Sequence, residues 1–199
     1  MIIFPGKTES ECYVGREGPR GGDQSGLPMT ESADKSLGYP VAVVIASWFG
    51  SGFAPTAPGT AGSLAALPMI WVLFDSSFPW LVVAVTVFLF VAGTWAAGVV
   101  GQSWGKVDHG SIVIDEVVGM VLAVSLPFYL LGQWVDLLAV AGLSFITFRC
   151  FDIVKPWPVS LIDRRVKNPV GVMLDDIVAG LYAGALTTVL LLAGIIVSL

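Results

Sequence analysis

From Val41 to the end of the chain, long apolar runs alternate with short polar stretches. Trp80–Val100 has 21 residues without a charge, Val117–Val135 has 19 and Ile177–Leu199 has 23. A helix rises about 1.5 Å per residue, so each run can cross a hydrocarbon layer roughly 30 Å thick. Leu137–Phe148 is shorter and extends through Phe151 if Arg149 turns inward. Val41–Phe74 is also uncharged, but Gly and Pro interrupt it between Gly50 and Gly62. That pattern predicts a short apolar segment over 41–49, an irregular loop, and a helix over about 61–74 that spans or is re-entrant, because irregular backbone at membrane depth needs protein or a polar cavity over it. The expected fold is all-α: a polytopic membrane helical bundle of four to five transmembrane or re-entrant helices. Residues 1–38 are rich in Gly, Ser, Glu and Pro and hold few large apolar side chains. They are expected to form a disordered N-terminal tail, leaving 39–199 as one membrane domain.

Composition strengthens this picture. The chain is 55% hydrophobic and only 13% charged, about half the charge of a soluble domain. The net charge of −5 is spread over tail and bundle and gives no reason to expect nucleic acid as a partner. Two cysteines, Cys12 and Cys150, are too few for a disulfide framework and are expected to be free thiols. The basic residues set sidedness. The connection 155–171 carries Lys155, Arg164, Arg165 and Lys167, and 101–111 carries Lys106, whereas the turns near 75–79 and 132–136 carry only Asp75 and Asp136. The positive-inside rule puts the first two connections in the cytoplasm. Every motif with chemical potential then falls on one face.

Two stretches look like copies of each other: Ile112-Val-Ile-Asp115-Glu116-Val-Val-Gly119-Met120 and Val172-Met-Leu-Asp175-Asp176-Ile-Val-Ala179-Gly180. Each sets two adjacent carboxylates at the mouth of an apolar run, where charge is costly unless something pairs with it. Adjacent helical residues point about 100° apart, so one acid of each doublet is expected to face the bundle and the other to flank it. Packing the two helices together gathers four carboxylates, and a hard, oxygen-liganded cation such as Mg²⁺ suits them. The bland reading is that acids near helix N-termini merely favour the helix dipole. In Phe148-Arg149-Cys150-Phe151-Asp152-Ile153-Val154-Lys155-Pro156, the residues Arg149, Asp152 and Lys155 form a polar stripe that Pro156 ends. Asp152 is a candidate fifth ligand, and Arg149 and Lys155 are candidates for phosphate oxygens. The Gly/Pro loop offers hydroxyls such as Ser51 and Thr60 and free N–H groups for an anion, and Arg164 or Arg165 can reach a phosphate. His109, the lone histidine, is expected to be a solvated loop residue.

Four strings, Gly50-Ser-Gly-Phe-Ala-Pro-Thr-Ala-Pro-Gly-Thr-Ala-Gly-Ser63, Ile112–Gly119, Phe148–Pro158 and Gly171–Gly180, resemble the phosphatidylglycerophosphatase A family of bacterial membrane lipid phosphatases in order and rough spacing. The resemblance covers about 41–199. It implies Mg²⁺-dependent hydrolysis of phosphatidylglycerol phosphate to phosphatidylglycerol and phosphate, a step of phospholipid biosynthesis, at the cytoplasmic side of the inner membrane. Substrate and membrane lipids would then be the partners. On this reading Asp115, Glu116, Asp175 and Asp176 hold one or two metal ions, Asp152 is a candidate further ligand, and all five are the candidate catalytic residues. Arg149, Lys155, Arg164, Arg165, Ser51 and Thr60 meet the phosphate. A metal-activated water and an aspartyl-phosphate both fit these residues. The alternative class is a small ion-coupled transporter that uses the same carboxylates for a travelling cation.

Overall fold

The computed structural model describes residues 30–75, 78–106 and 108–198. Among them it has no strand and seven α-helices: α1 (Thr30–Ala46), α2 (Pro58–Asp75), α3 (Pro79–Trp104), α4 (Ile114–Leu131), α5 (Leu137–Val154), α6 (Val159–Arg165) and α7 (Pro169–Ser198). Four of these, α3, α4, α5 and α7, are long and apolar enough to cross a membrane. Most of the expected tail lies outside the described residues, and α1 begins at Thr30, within that stretch. The helices outrun the charge-free segments at the polar end of the bundle. α4 starts before the first doublet and α7 starts before the second, because charge is tolerable near a helix end that leaves the hydrocarbon. α5 runs through Arg149 to Val154, and Lys155, in the left-handed region at φ 45°, closes it by donating its N–H to Phe151 O at 2.8 Å.

The outward faces are apolar. α3 exposes Trp80, Val83, Val87, Val91 and Trp95 along one stripe and buries Val82, Leu89, Ala96 and Val100 on the other. Such a stripe suits lipid rather than water. Trp134 and Trp157, both exposed, sit at opposite ends of the bundle, as interface anchors do.

Lipid tails are as apolar as leucine, so burial alone does not hold membrane helices together; small residues and interhelical hydrogen bonds do. α4 packs most extensively on α7. Gly119 and Gly180 meet where they cross: a Cβ on Gly180 would strike the Gly119 carbonyl, and one on Gly119 would press into the Phe148 ring and the Asp176 carbonyl. Hydroxyls tie α5 to both partners. Ser144 Oγ donates to Ala123 O at 3.0 Å, and Thr147 Oγ1 meets Thr187 Oγ1 at 2.8 Å.

Chain connectivity sorts polar residues to one end. The short turns α2–α3 and α4–α5 lie at the far end, where Asp136 is used as a cap, accepting from Leu138 N and Ala139 N. The links α3–α4 and α5–α6–α7 lie at the near end. The Gly/Pro loop joins them there. Val113 N donates to Ala46 O at 2.8 Å, and Gly52 lies so close to the Ser111 carbonyl that no side chain would fit.

Candidate active site

At the near end, α4, the end of α5, α6 and the start of α7 enclose a cleft of about 420 Å³. Its floor is the product of the α4–α7 crossing. With Gly119 against Gly180, the two doublets, each about one turn ahead of its glycine, arrive side by side. Asp115, Glu116 and Asp176 each bring a carboxylate oxygen within 4.8 Å of the other two. Asp115 and Asp176 are only 8% and 4% exposed, so water screens their mutual repulsion poorly.

The two doublets share a local device and then diverge. Asp115 Oδ1 accepts from Glu116 N at 3.1 Å, and Asp175 Oδ1 accepts from Asp176 N at 3.2 Å. The outer oxygen of Asp175 then turns to Lys155 Nζ at 2.7 Å. The same ammonium binds Asp163 Oδ1 at 2.9 Å. Lys155 thus clamps α6 and α7 to the end of α5. It departs from the expected stripe, since Arg149 pairs with Asp152 at 2.6 Å while Lys155 faces across the cleft. Burial works against the Lys155 charge, but the bonds to Asp175 and Asp163 outweigh it and hold its pKa above the ordinary lysine value. The Lys155 hydrogen bond holds Asp163 below the usual carboxylate range, against a smaller opposing effect of burial.

The donor set fits a divalent cation. Three oxygens from hard carboxylates converge, and the two cations closest in the fold are committed: Lys155 to Asp175 and Asp163, Arg149 to Asp152. Glu116 Oε2 is buried and makes no hydrogen bond. Glu116 belongs to the acidic cluster, and a buried carboxylate oxygen without a hydrogen bond is what a hard metal ion satisfies. Arg149 Nε is likewise buried without a hydrogen bond, and its Nη1, though at ion-pair distance from Asp152, makes none of acceptable geometry.

The structure separates the other candidates. Asp152, Lys155 and Asp175 line the cleft beside the three-acid cluster. Both acids of the first doublet join that cluster, but only Asp176 of the second does. Arg149 lies behind it, against Gly59 and Glu116. Ser51 and Thr60 are not brought to the cleft. Ser51 Oγ donates to Ser47 O at 3.1 Å, a bond that closes the turn. The Gly/Pro loop instead forms a wall: Gly59, at the start of α2, abuts Glu116 so closely that a Cβ would overlap its Oε1. Arg164 and Arg165 are exposed and do not line the cleft. His109 packs its ring on Trp104 at 4.7 Å and accepts from Ser111 N through Nδ1. Cys150 is an exposed free thiol, and Cys12 lies outside the described residues. Lys106, Asp108, Asp163 and Lys167 line the cleft without having been singled out as ligands from the sequence. Their only signal was position, in the two polar connections that flank the doublets.

Comparison with known proteins follows the same residues. The family profile described as Phosphatidylglycerophosphatase A matches residues 44–191. The chain is 41% identical over 145 residues to phosphatidylglycerophosphatase A of Escherichia coli (strain K12), covering 72% of this chain and 79% of that protein. It is 38% identical over 161 residues to a Bacteroides thetaiotaomicron protein provisionally named a phosphatidylinositol-3-phosphatase, covering 74% and 91%. It is 36% identical over 140 residues to phosphatidylglycerophosphatase A of Haemophilus influenzae, covering 70% and 82%. No solved structure matches it.

Proposed function

The chain belongs to the phosphatidylglycerophosphatase A family, and we propose on that footing that its cleft hydrolyses phosphatidylglycerol phosphate to phosphatidylglycerol and inorganic phosphate, with Mg²⁺ held by Asp115, Glu116 and Asp176. The observation that carries this reading is the convergence of carboxylates from both doublets at the floor of a cleft at one end of the bundle. When bound there, the ion supplies positive charge against phosphoryl oxygens and lowers the pKa of a coordinated water.

The protein's own groups do the rest. Lys155, held in place by Asp163 and Asp175, keeps a third N–H for the phosphoryl oxygens as water attacks and the bond to the phosphatidylglycerol oxygen breaks. Asp152 lines the cleft outside the cluster and is the candidate base that takes the attacking water's proton and returns it to the departing phosphatidylglycerol oxygen. The cleft opens at a bundle end, so the acyl chains stay in lipid while the headgroup bends in. The basic residues of the near end, set against the purely acidic far turns, support a cytoplasmic cleft in a bacterial inner membrane. The name of the Bacteroides relative widens the chemistry only slightly. Both lipids carry a phosphomonoester on a polyol headgroup that a phosphodiester joins to diacylglycerol.

The test is phosphate release from phosphatidylglycerol phosphate by detergent-solubilised protein. EDTA should abolish release and added Mg²⁺ restore it. Asp176→Asn should lower turnover at least about 100-fold with an unchanged elution profile in detergent. Absence of metal-dependent release from this lipid overturns the reading.

A further inference from the structure

We propose that Lys106 and Lys167 form a second anion subsite at the mouth of the cleft, which grips the phosphodiester of the lipid and so selects substrates with two phosphates over those with one. The inference rests on the phosphatase reading above and adds the residues that choose the substrate. Seven carboxylates line the cleft against three lysines. Lys155 is committed to two of the acids. Lys106 and Lys167 have no ion pair among the described residues and are exposed. A phosphodiester that enters so acidic a cleft is repelled unless cations meet it at the entrance. Only these two lining cations are left to do so.

Depth gives the order. Of the proposed metal-binding acids, Asp115 and Asp176 are buried at the floor and Glu116 is half-buried, whereas the two lysines are exposed at the mouth. Along the substrate, the monoester comes first, then the glycerol, then the diester, then the acyl chains. With the monoester on the floor, the diester lies toward the mouth. The two lysines come from different connections, and each is placed by its backbone. Gly105, at φ 70°, ends α3 in the left-handed region and turns the chain toward Lys106. The α6–α7 link is pinned beside Lys167. Gly171 lies against the Val166 carbonyl where no Cβ would fit, and Gly171 N donates to Asn168 Oδ1 at 2.9 Å.

The test compares two substrates with matched acyl chains: phosphatidylglycerol phosphate, which has the diester, and phosphatidic acid, which has only a monoester. In the variant Lys106→Gln/Lys167→Gln, kcat/KM for the first should fall about 10-fold or more, the scale of lost hydrogen bonds to a charged group, while kcat/KM for the second stays within about twofold of wild type. Arg164→Gln/Arg165→Gln removes the same charge outside the cleft and should leave the preference between the two lipids unchanged. An equal fall on both lipids, no change on either, or the same loss of preference in the arginine variant overturns the subsite. If the wild type releases phosphate from neither lipid, the phosphatase reading has failed, and binding still judges the lysines. Titration of phosphatidylglycerol in dodecyl maltoside, followed by tryptophan fluorescence, should show weaker binding in the lysine variant than in wild type. Equal binding overturns the proposal.

Discussion

Each doublet spends its first aspartate on the N–H of its neighbour, yet the two aspartates have different fates. Asp115 stays with the acids; Asp175 is drawn off by Lys155. Asp175→Asn should therefore leave metal affinity within a few-fold of wild type while lowering turnover, since it loosens Lys155; metal titration and phosphate release separate the two effects. The clamp also has a pH signature. The folded pKa of Asp163 is depressed, so its contribution to stability is present above the unfolded value near ~3.9 and is lost as pH falls through the folded value. That of Lys155 is raised, so its contribution is complete below ~10.4 and is lost only as pH rises through the folded value. The stability difference between wild type and Asp163→Asn should then be flat between roughly pH 5 and pH 10 and shrink in acid. A difference that instead grows on acidification, in thermal unfolding across pH, would remove Asp163 from the clamp. The doublets themselves were legible in the sequence as a repeated pattern. The Lys155 partnership was not. The helical spacing pointed Lys155 at Asp152, and only the left-handed turn at its own backbone sends it across the cleft.

At the scale of elements, the site exists because α4 and α7 approach through glycine. Gly180→Ala places a methyl against the Gly119 carbonyl, so the helices must part. The expected cost is about 1–3 kcal/mol, read as a lowered midpoint of unfolding in detergent, with loss of activity. Gly59→Ala acts differently. Its methyl meets the Glu116 carboxylate rather than backbone, so activity should fall more than stability does. The Gly/Pro loop looked from the sequence like an anion cradle because glycine, hydroxyls and a following helix are common to cradles and to tight packing. What distinguishes them is what the loop touches, here Ser111 and Glu116. The spanning helices were legible from charge-free length, although their starts were not, since a helix continues past its first charges where the bundle covers them.

For the whole molecule, the described bundle is apolar around its girth and gathers its buried carboxylates at one end. A transporter would place its acids near the bilayer midplane at a repeat interface. Here the repeated doublets meet where helices begin and end, at the foot of an open cleft. That placement suits a headgroup delivered from the membrane surface and a small anion released to water. The claim that unites the scales is that Asp115, Glu116 and Asp176, and not Asp175, bind a divalent ion. Electron paramagnetic resonance of Mn²⁺, as a stand-in for Mg²⁺, titrated into detergent-solubilised protein tests it most directly. Wild type and Asp175→Asn should both remove free Mn²⁺ signal with similar affinity, and Asp176→Asn should bind at least about 10-fold more weakly. Unchanged Mn²⁺ binding in Asp176→Asn, or its loss in Asp175→Asn alone, would contradict the account.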